Sequence, residues 1–168
     1  MRIINVVVQG DLGCRIDLKE LVLKLSNVRY QPQCFTGIVW QHRKIGGNCL
    51  VFSSGQLNCA GKCSTVCEGI QRLRRYGRFF QRSGYLVKLC GVRVITTSAT
   101  HQLNVTINPR MLQEGRCYEP EIFAGLMFYR DDLHYICHLS GKVMITGIKK
   151  KSDLDNIYPV ILELELCS

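Results

Sequence analysis

The chain has 168 residues, 46% of them apolar and 21% charged, enough to bury a core without disulfide or metal staples. Its net charge of +9 is uneven: residues 1–90 hold 14 Lys and Arg against 4 Asp and Glu (+10), and residues 91–168 hold 8 against 9 (−1). No run approaches the ~18–20 apolar residues of a membrane helix, and the N-terminus lacks a signal peptide's features, so a soluble intracellular protein with a polyanionic or acidic partner for its first half is expected.

In chain order, Ile3–Val8 reads as a strand, with Asn5 and Val7 on one face and Ile4, Val6 and Val8 on the other. Leu18, Leu21, Val22 and Leu25 then fall at helical spacing, with Asp17 near the N-cap. Thr36–Gln41, Cys49–Phe52 and Gln56–Cys59 form a predicted meander whose tight turn is Ser53-Ser54-Gly55. A longer helix follows over Ser64–Ser83, closed by Gly84, with Ile70, Leu73 and Phe80 on its apolar stripe and Arg72, Arg74, Arg75, Arg78 and Arg82 outside it. Further strands are predicted at Val92–Ser98, Met127–Tyr129, Leu133–His138 and Lys142–Ile145. The last helix lies within Ser152–Leu164, where Pro159 is expected to kink or interrupt it.

The second half repeats the first. Tyr30, Pro32, Phe35 and Gly37 return as Tyr118, Pro120, Phe123 and Gly125, at an offset of 88 residues. Ser54, Gly55 and Gly61 return as Ser140, Gly141 and Gly147, at an offset of 86. The change falls where Ile45-Gly46-Gly47-Asn48 faces the shorter Asp131-Asp132 turn, and hairpin loops are where insertions belong. The halves divide at 1–90 and 91–168. Each is an α+β unit with helices on one sheet face and the other face open. Asn5, Val7, Leu50, Phe52, Asn58 and Ala60 line that open face in the first copy, and Ile136, His138, Met144 and Thr146 in the second. A broad face mixing apolar and small polar groups marks an interaction surface.

The ten cysteines are scattered, with no C-x-x-C pair; Cys59, Cys63 and Cys67 come nearest to a metal box, at four-residue steps. They read as small buried hydrophobes, and no metal or cofactor is expected. No Ser/His/Asp, Cys/His or paired-carboxylate arrangement stands out, and Gly46-Gly47 is a turn and not a phosphate loop, so no enzyme is expected.

Taken in order, Ile4-Asn5-Val6-Val7, Leu12-Gly13-Cys14, Asp17-Leu18-Lys19 and Val51-Phe52-Ser53-Ser54-Gly55 resemble the core of TATA-box-binding proteins. So do Tyr118-Glu119-Pro120-Glu121-Ile122-Phe123, Ser140-Gly141-Lys142-Val143, Thr146-Gly147 and Ile157-Tyr158-Pro159. The resemblance runs from Ile3 to about Leu164. It implies a saddle of two pseudo-symmetric repeats, with a curved ten-stranded antiparallel sheet and helices on the convex face. The implied function is that of a nuclear general transcription factor that binds and bends the minor groove of TATA-like promoter DNA and nucleates preinitiation-complex assembly.

Minor-groove edges of A·T pairs show only acceptors, so an apolar floor with a few donors suits them, and aromatic wedges unstack a step and kink the duplex. On the resemblance, the DNA-binding residues are Asn5, Val7, Phe35, Leu50, Phe52, Phe123, Ile136, His138, Lys142, Met144 and Thr146. Phe35 and Phe52 are one wedge pair and Phe123 half of the other; His138 stands where a fourth Phe belongs. Thr96 replaces an Asn, Ala60 a Thr, Asn58 and Ser98 each a Val, and Gln41 and Tyr129 two groove-flanking arginines. Tyr118, Glu119, Pro120, Glu121 and Ile122 would dock a protein resembling transcription factor IIB. The helix bearing Arg72, Arg74, Arg75, Arg78 and Arg82 is either a solvated face or the seat of an acidic partner or flanking phosphates. Proteins resembling transcription factor IIA and the RNA polymerase machinery are further implied partners.

Two other readings stand beside this one. The first keeps the saddle as a TATA-binding-protein-related factor that acts mainly as a protein platform. The second, from another class, is a cysteine-dependent metal or redox protein.

Overall fold

The computed structural model describes residues 1–108 and 118–166, which hold nine strands and three helices. They divide into two compact units, Asn5–Ile95 and Met1–Ile4 with Thr96–Ser168.

In the first unit the antiparallel strand order is β2 (Val28–Tyr30), β3 (Ile38–Trp40), β4 (Asn48–Val51), β5 (Gln56–Gly61), β1 (Arg2–Asp11). Period-2 alternation sorts the side chains: Val6, Val8, Ile38, Trp40, Cys49, Val51, Leu57 and Cys59 are buried on one face. Asn5, Val7, Gln9, Val39, Leu50, Asn58 and Ala60 are half-buried on the other. The buried face is covered by α2 (Val66–Arg82) through Leu73, Tyr76 and Phe80. A Cβ at Gly69 would come within 3.0 Å of Val6 Cγ1, so the missing side chain lets the helix settle onto the sheet. Trp40 anchors the layer, with ring centroids 5.1 Å from Tyr76 and 4.7 Å from Phe79, and its Nε1 donates to Ser26 O at 3.2 Å.

The helices begin and end where side-chain chemistry permits. Asp17 caps α1 (Leu18–Lys24), accepting from Lys19 N at 2.9 Å and Glu20 N at 3.0 Å. Thr65 accepts from Glu68 N at 3.2 Å, while Glu68 reaches back to Ser64 N at 2.9 Å. At the far end Gly84 (φ 92°) lets Tyr85 N donate to Phe80 O and Gly84 N to Gln81 O, the Schellman pattern.

In the second unit the order is β6 (Cys90–Gln102, from Thr96 onward), β9 (Lys142–Ile148), β8 (Leu133–His138), β7 (Gly125–Arg130). Ala99, Leu126, Leu133, Cys137, Val143 and Ile145 form its core with Ile157, Val160, Ile161 and Leu164 of α3 (Asp153–Leu166). Phe128 stacks on its strand neighbour Tyr135 at 4.9 Å, and burial pushes the Tyr135 phenol up to about 12.

Several expectations are corrected. The described residues hold nine strands where the resemblance implies ten. β2 is absent from the sequence-based expectation, and its counterpart by the 88-residue offset, 116–118, begins outside the described residues. α3 runs through Pro159 without a break; the ring forgoes only the bond to Asp155 O, and four buried apolar side chains hold the helix in place. On α2 it is Gly69 that is buried, with Ile70 only half-buried. The cysteines are not uniformly buried, since Cys34, Cys67 and Cys90 are exposed. Cys117 and Cys167 lie outside the described residues.

Candidate nucleic-acid interface

The two copies of Tyr-x-Pro fold into the same turn. Cys34 N and Phe35 N both donate to Gln31 O at 2.9 Å; in the second copy Ile122 N and Phe123 N donate to Glu119 O at 2.9 and 2.8 Å. Pro32 and Pro120 sit at the second turn position, where a fixed φ is an advantage. Each turn carries a ring over a glycine, which immediately precedes β3 in the first copy and opens β7 in the second: Cβ atoms there would lie 2.9 Å from Phe35 (at Gly37) and 2.5 Å from Phe123 (at Gly125). The second ring of each pair sits at a strand's end, Phe52 one residue past β4 and His138 as the last residue of β8, just before a Gly-closed turn. Gly55 N donates to Phe52 O at 3.0 Å, and Gly141 N to His138 O at 2.9 Å, with φ of 97° and 81° at the glycines. The pairs that result are Phe35–Phe52, edge-on at 5.7 Å, and Phe123–His138, tilted at 6.1 Å.

Between those rings and the far side of each sheet lies the open face. In the first unit one cross-strand row runs Val39, Leu50, Asn58, Gln9, and the next runs Asn48, Ala60, Val7. Gln9 Nε2 donates to Asn58 Oδ1 at 3.0 Å, Arg93 Nε to Gln9 Oε1 at 2.6 Å, and Gln41 Nε2 to Asn48 Oδ1 at 2.6 Å. In the second unit Met127, Ile136, Met144 and Thr100 form one row. Tyr129, His134 and Thr146 form another, with Tyr129 stacked on His134 at 4.4 Å. Lys142 stands exposed beside Gln102 at the strand end.

Elsewhere, Arg74, Arg75, Arg78 and Arg82 are exposed along α2. Arg75, Arg78 and Arg82 flank a depression lined by His42, Ile45 and Phe79. Arg72 differs from the other four: it is half-buried, donating to Cys63 Sγ at 3.0 Å and Lys62 O at 2.9 Å, so it braces the helix's own base. Burial pushes the Cys63 thiol up, against the pull of that guanidinium. Cys49 and Cys59 face each other across β4 and β5 with sulfurs 3.4 Å apart, and burial raises the Cys49 thiol well above its ordinary value. Cys59, Cys63 and Cys67 thus have separate surroundings. Among the described residues no group of three or more His, Cys, Asp or Glu is placed to hold a metal ion. Nor is any helix among them long and apolar enough to cross a membrane.

A family model described as transcription factor TFIID (or TATA-binding protein, TBP) matches residues 1–76. The TATA-box-binding protein of Artemia franciscana is 31% identical over 169 aligned positions, covering 94% of this chain and 60% of that protein. The TATA box-binding protein-like 2 of Rattus norvegicus is 30% identical, covering 94% of this chain and 48% of that one. The solved structure of Methanococcus jannaschii TBP matches with a TM-score of 0.84 at 31% identity, covering 98% of this chain and 97% of that chain. The chain belongs to the TATA-binding protein family. It spans about half to three-fifths of the two curated relatives and nearly the whole of the M. jannaschii chain.

With the TATA-binding protein fold established, the expected site residues can be placed. Asn5, Val7 and Leu50 lie on the first unit's open face, with the Phe35–Phe52 pair at its edge. Ile136, His138, Met144, Thr146 and Lys142 share the second unit's face, with Phe123 against His138. Tyr118 is half-buried against the second core. Glu119, Pro120, Glu121 and Ile122 are exposed on the turn, Ile122 to 80%. Sequence reasoning passes over Gln9, Arg93 and His134. Gln9 follows from alternation once the strand is carried past Val8, and His134 from its parity with Ile136 and His138. Arg93 has no local signal, because its partner is 84 residues away.

Proposed function

We propose that this chain is a promoter-binding transcription factor whose two open faces lie on the minor groove of TATA-like DNA. The observation that carries the reading is the pair of equivalent turns, each holding an aromatic ring against a second ring at the edge of an open face. Rings so placed can enter a base step, unstack it and kink the duplex. The half-buried apolar and amide side chains between them can meet groove edges that expose acceptors. The TATA-binding protein family is itself a standard example of minor-groove binding with a kinked duplex, and the expected bend is that of the family. The work is binding and requires no catalytic group. A nuclear location belongs to the same proposal.

The exposed Glu119-Pro120-Glu121-Ile122 turn supports docking of a protein resembling transcription factor IIB, with Ile122 as apolar anchor between carboxylates. The arginines along α2 suit an acidic surface, of the kind a protein resembling transcription factor IIA or a polymerase component could offer. A gel shift with bend analysis, on a TATA duplex beside a scrambled one, tests the central claim. A bent, salt-sensitive complex with the TATA duplex is expected; failure to bind either duplex refutes it.

A further inference from the structure

The first unit's open face carries a polar relay. Gln9 and Asn58 are direct cross-strand partners, half-buried, in the row that continues through Leu50 and Val39. Arg93 Nε donates to Gln9 Oε1 at 2.6 Å, and Gln9 Nε2 donates to Asn58 Oδ1 at 3.0 Å. The order of this relay is dictated by chemistry. A guanidinium has only donors, so Gln9 must turn its oxygen to Arg93 and its nitrogen to Asn58. Asn58 must then turn its oxygen to Gln9, leaving its own Nδ2 hydrogens and one lone pair of Oδ1 to the open face. Two side chains that could rotate freely are thereby held as a fixed pattern of donor beside acceptor.

That pattern bears on sequence choice. In the minor groove every base pair shows acceptors, and a G·C pair adds one donor, the guanine 2-amino group. An apolar side chain pressed against that amine strips its water and returns no hydrogen bond, which penalises G·C. An amide oxygen in the same place satisfies it. Resting on the minor-groove reading above, we propose that Gln9 and Asn58, oriented by Arg93, accept a G·C pair at the step seated on them, so the preferred element is not an uninterrupted A·T run. Gln9 and Asn58 are the specificity-determining residues, and Arg93 is a positioning residue that acts through Gln9.

The test isolates the minor-groove amine. In an otherwise A·T duplex, 2,6-diaminopurine replaces adenine at one position at a time, adding the 2-amino group while keeping the thymine partner. Affinities are measured for the full chain, for a Gln9→Val/Asn58→Val double variant and for Arg93→Met, each checked by thermal melt. The wild type should lose roughly tenfold or more at most positions, and less than about threefold at one or two adjacent ones. The double variant should restore the roughly tenfold loss at those same positions. Arg93→Met, which removes an exposed side chain and leaves both amides, should raise the loss there in part, beyond any uniform weakening from its charge. If the wild type binds but is penalised equally everywhere, or if the double variant keeps the tolerant step, the inference fails while the minor-groove reading stands. If no duplex in the set binds, both fail.

Discussion

Gly37 is the seat of Phe35. A Cβ at Gly37 would lie 2.9 Å from Phe35 Cε1, 3.0 Å from Val51 O and 3.1 Å from Phe52 Cδ1, closer than packed atoms allow. A glycine therefore stands immediately before the strand, where it leaves room for the ring. The same room is left at Gly125 under Phe123.

Gly37→Ala should consequently push Phe35 aside, at an overpacking cost of about 1–3 kcal/mol. Affinity for a TATA duplex and the induced bend should both fall. In a Phe35→Ala background the same substitution should cost less, because its nearest neighbour has gone while Val51 O stays at 3.0 Å. A double-mutant cycle read by binding checks the coupling; strict additivity would show that glycine and ring are independent.

The thiols should sort by burial. Cys49 and Cys59 are closed off between sheet and helix, and burial holds the Cys49 thiol well above its ordinary value, so its thiolate is scarce at neutral pH. Cys34, Cys67 and Cys90 are exposed. Alkylation followed by peptide mapping should modify the exposed three first and reach Cys49 and Cys59 only with denaturant. Prompt labelling of Cys49 in the folded protein would contradict the packing described.

Stability on the acid side should draw on Asp153. Its Oδ2 accepts from Lys149 N at 2.7 Å and Lys150 N at 2.9 Å, and these bonds, aided by the nearby lysines, hold its carboxyl below the ordinary value. A group whose folded pKa is depressed stabilises the fold above its unfolded pKa of ~3.9 and loses that contribution as pH falls through the folded value. Asp153→Asn should lower Tm at neutral pH and converge with the wild type well below ~4. The residue is only half-buried, so the gap should be modest. Parallel melts across that range decide it.

Much of this fold is legible in the sequence because its rules are local. Alternation places Val6 and Val8 opposite Asn5 and Val7, Asp17 marks a helix start, and Pro32 and Pro120 with their following Phe mark a duplicated turn. What escapes depends on pairing at a distance. Gln9-Gly10-Asp11 reads as polar and Gly-broken, yet its register with Leu57 and Gln56 keeps it in the strand. Val28-Arg29-Tyr30 is too short to show alternation and becomes a strand only beside Ile38–Trp40. Pro159 argues against a continuous helix until the burial of Ile157, Val160, Ile161 and Leu164 outweighs one lost hydrogen bond. The candidate interface divides the same way: its rings are visible as repeated motifs, whereas the Arg93–Gln9–Asn58 relay exists only once the chain is folded.

Partner recruitment should respond to charge on the second turn. Reversing Glu119 and Glu121 to Arg leaves the Pro120 turn in place and inverts the charge around exposed Ile122. Assembly with a protein resembling transcription factor IIB should weaken, while direct DNA binding holds or strengthens slightly. Survival of the ternary complex through that double reversal would remove this turn from the docking surface.

DNA binding should be lopsided. The first unit pairs Phe35 with Phe52, and the second pairs Phe123 with His138 at nearly the same separation, 5.7 against 6.1 Å. The separation is therefore nearly matched while the chemistry is not. An imidazole buries less apolar surface than a phenyl ring, and a step that closes over it must also satisfy its nitrogens. The first 90 residues also carry the positive charge, +10 against −1, so phosphate attraction favours the same end. Losing a ring that stacks on bases costs about 1–3 kcal/mol, or roughly 5- to 150-fold in affinity. Phe35→Ala should show a loss of that size together with a reduced bend, and His138→Ala a clearly smaller one. His138→Phe should tighten binding, because it adds apolar surface where a partner ring already waits. Equal losses from the two alanine variants on one TATA duplex, in affinity and in bend angle, would mean that His138 wedges as well as a phenylalanine does.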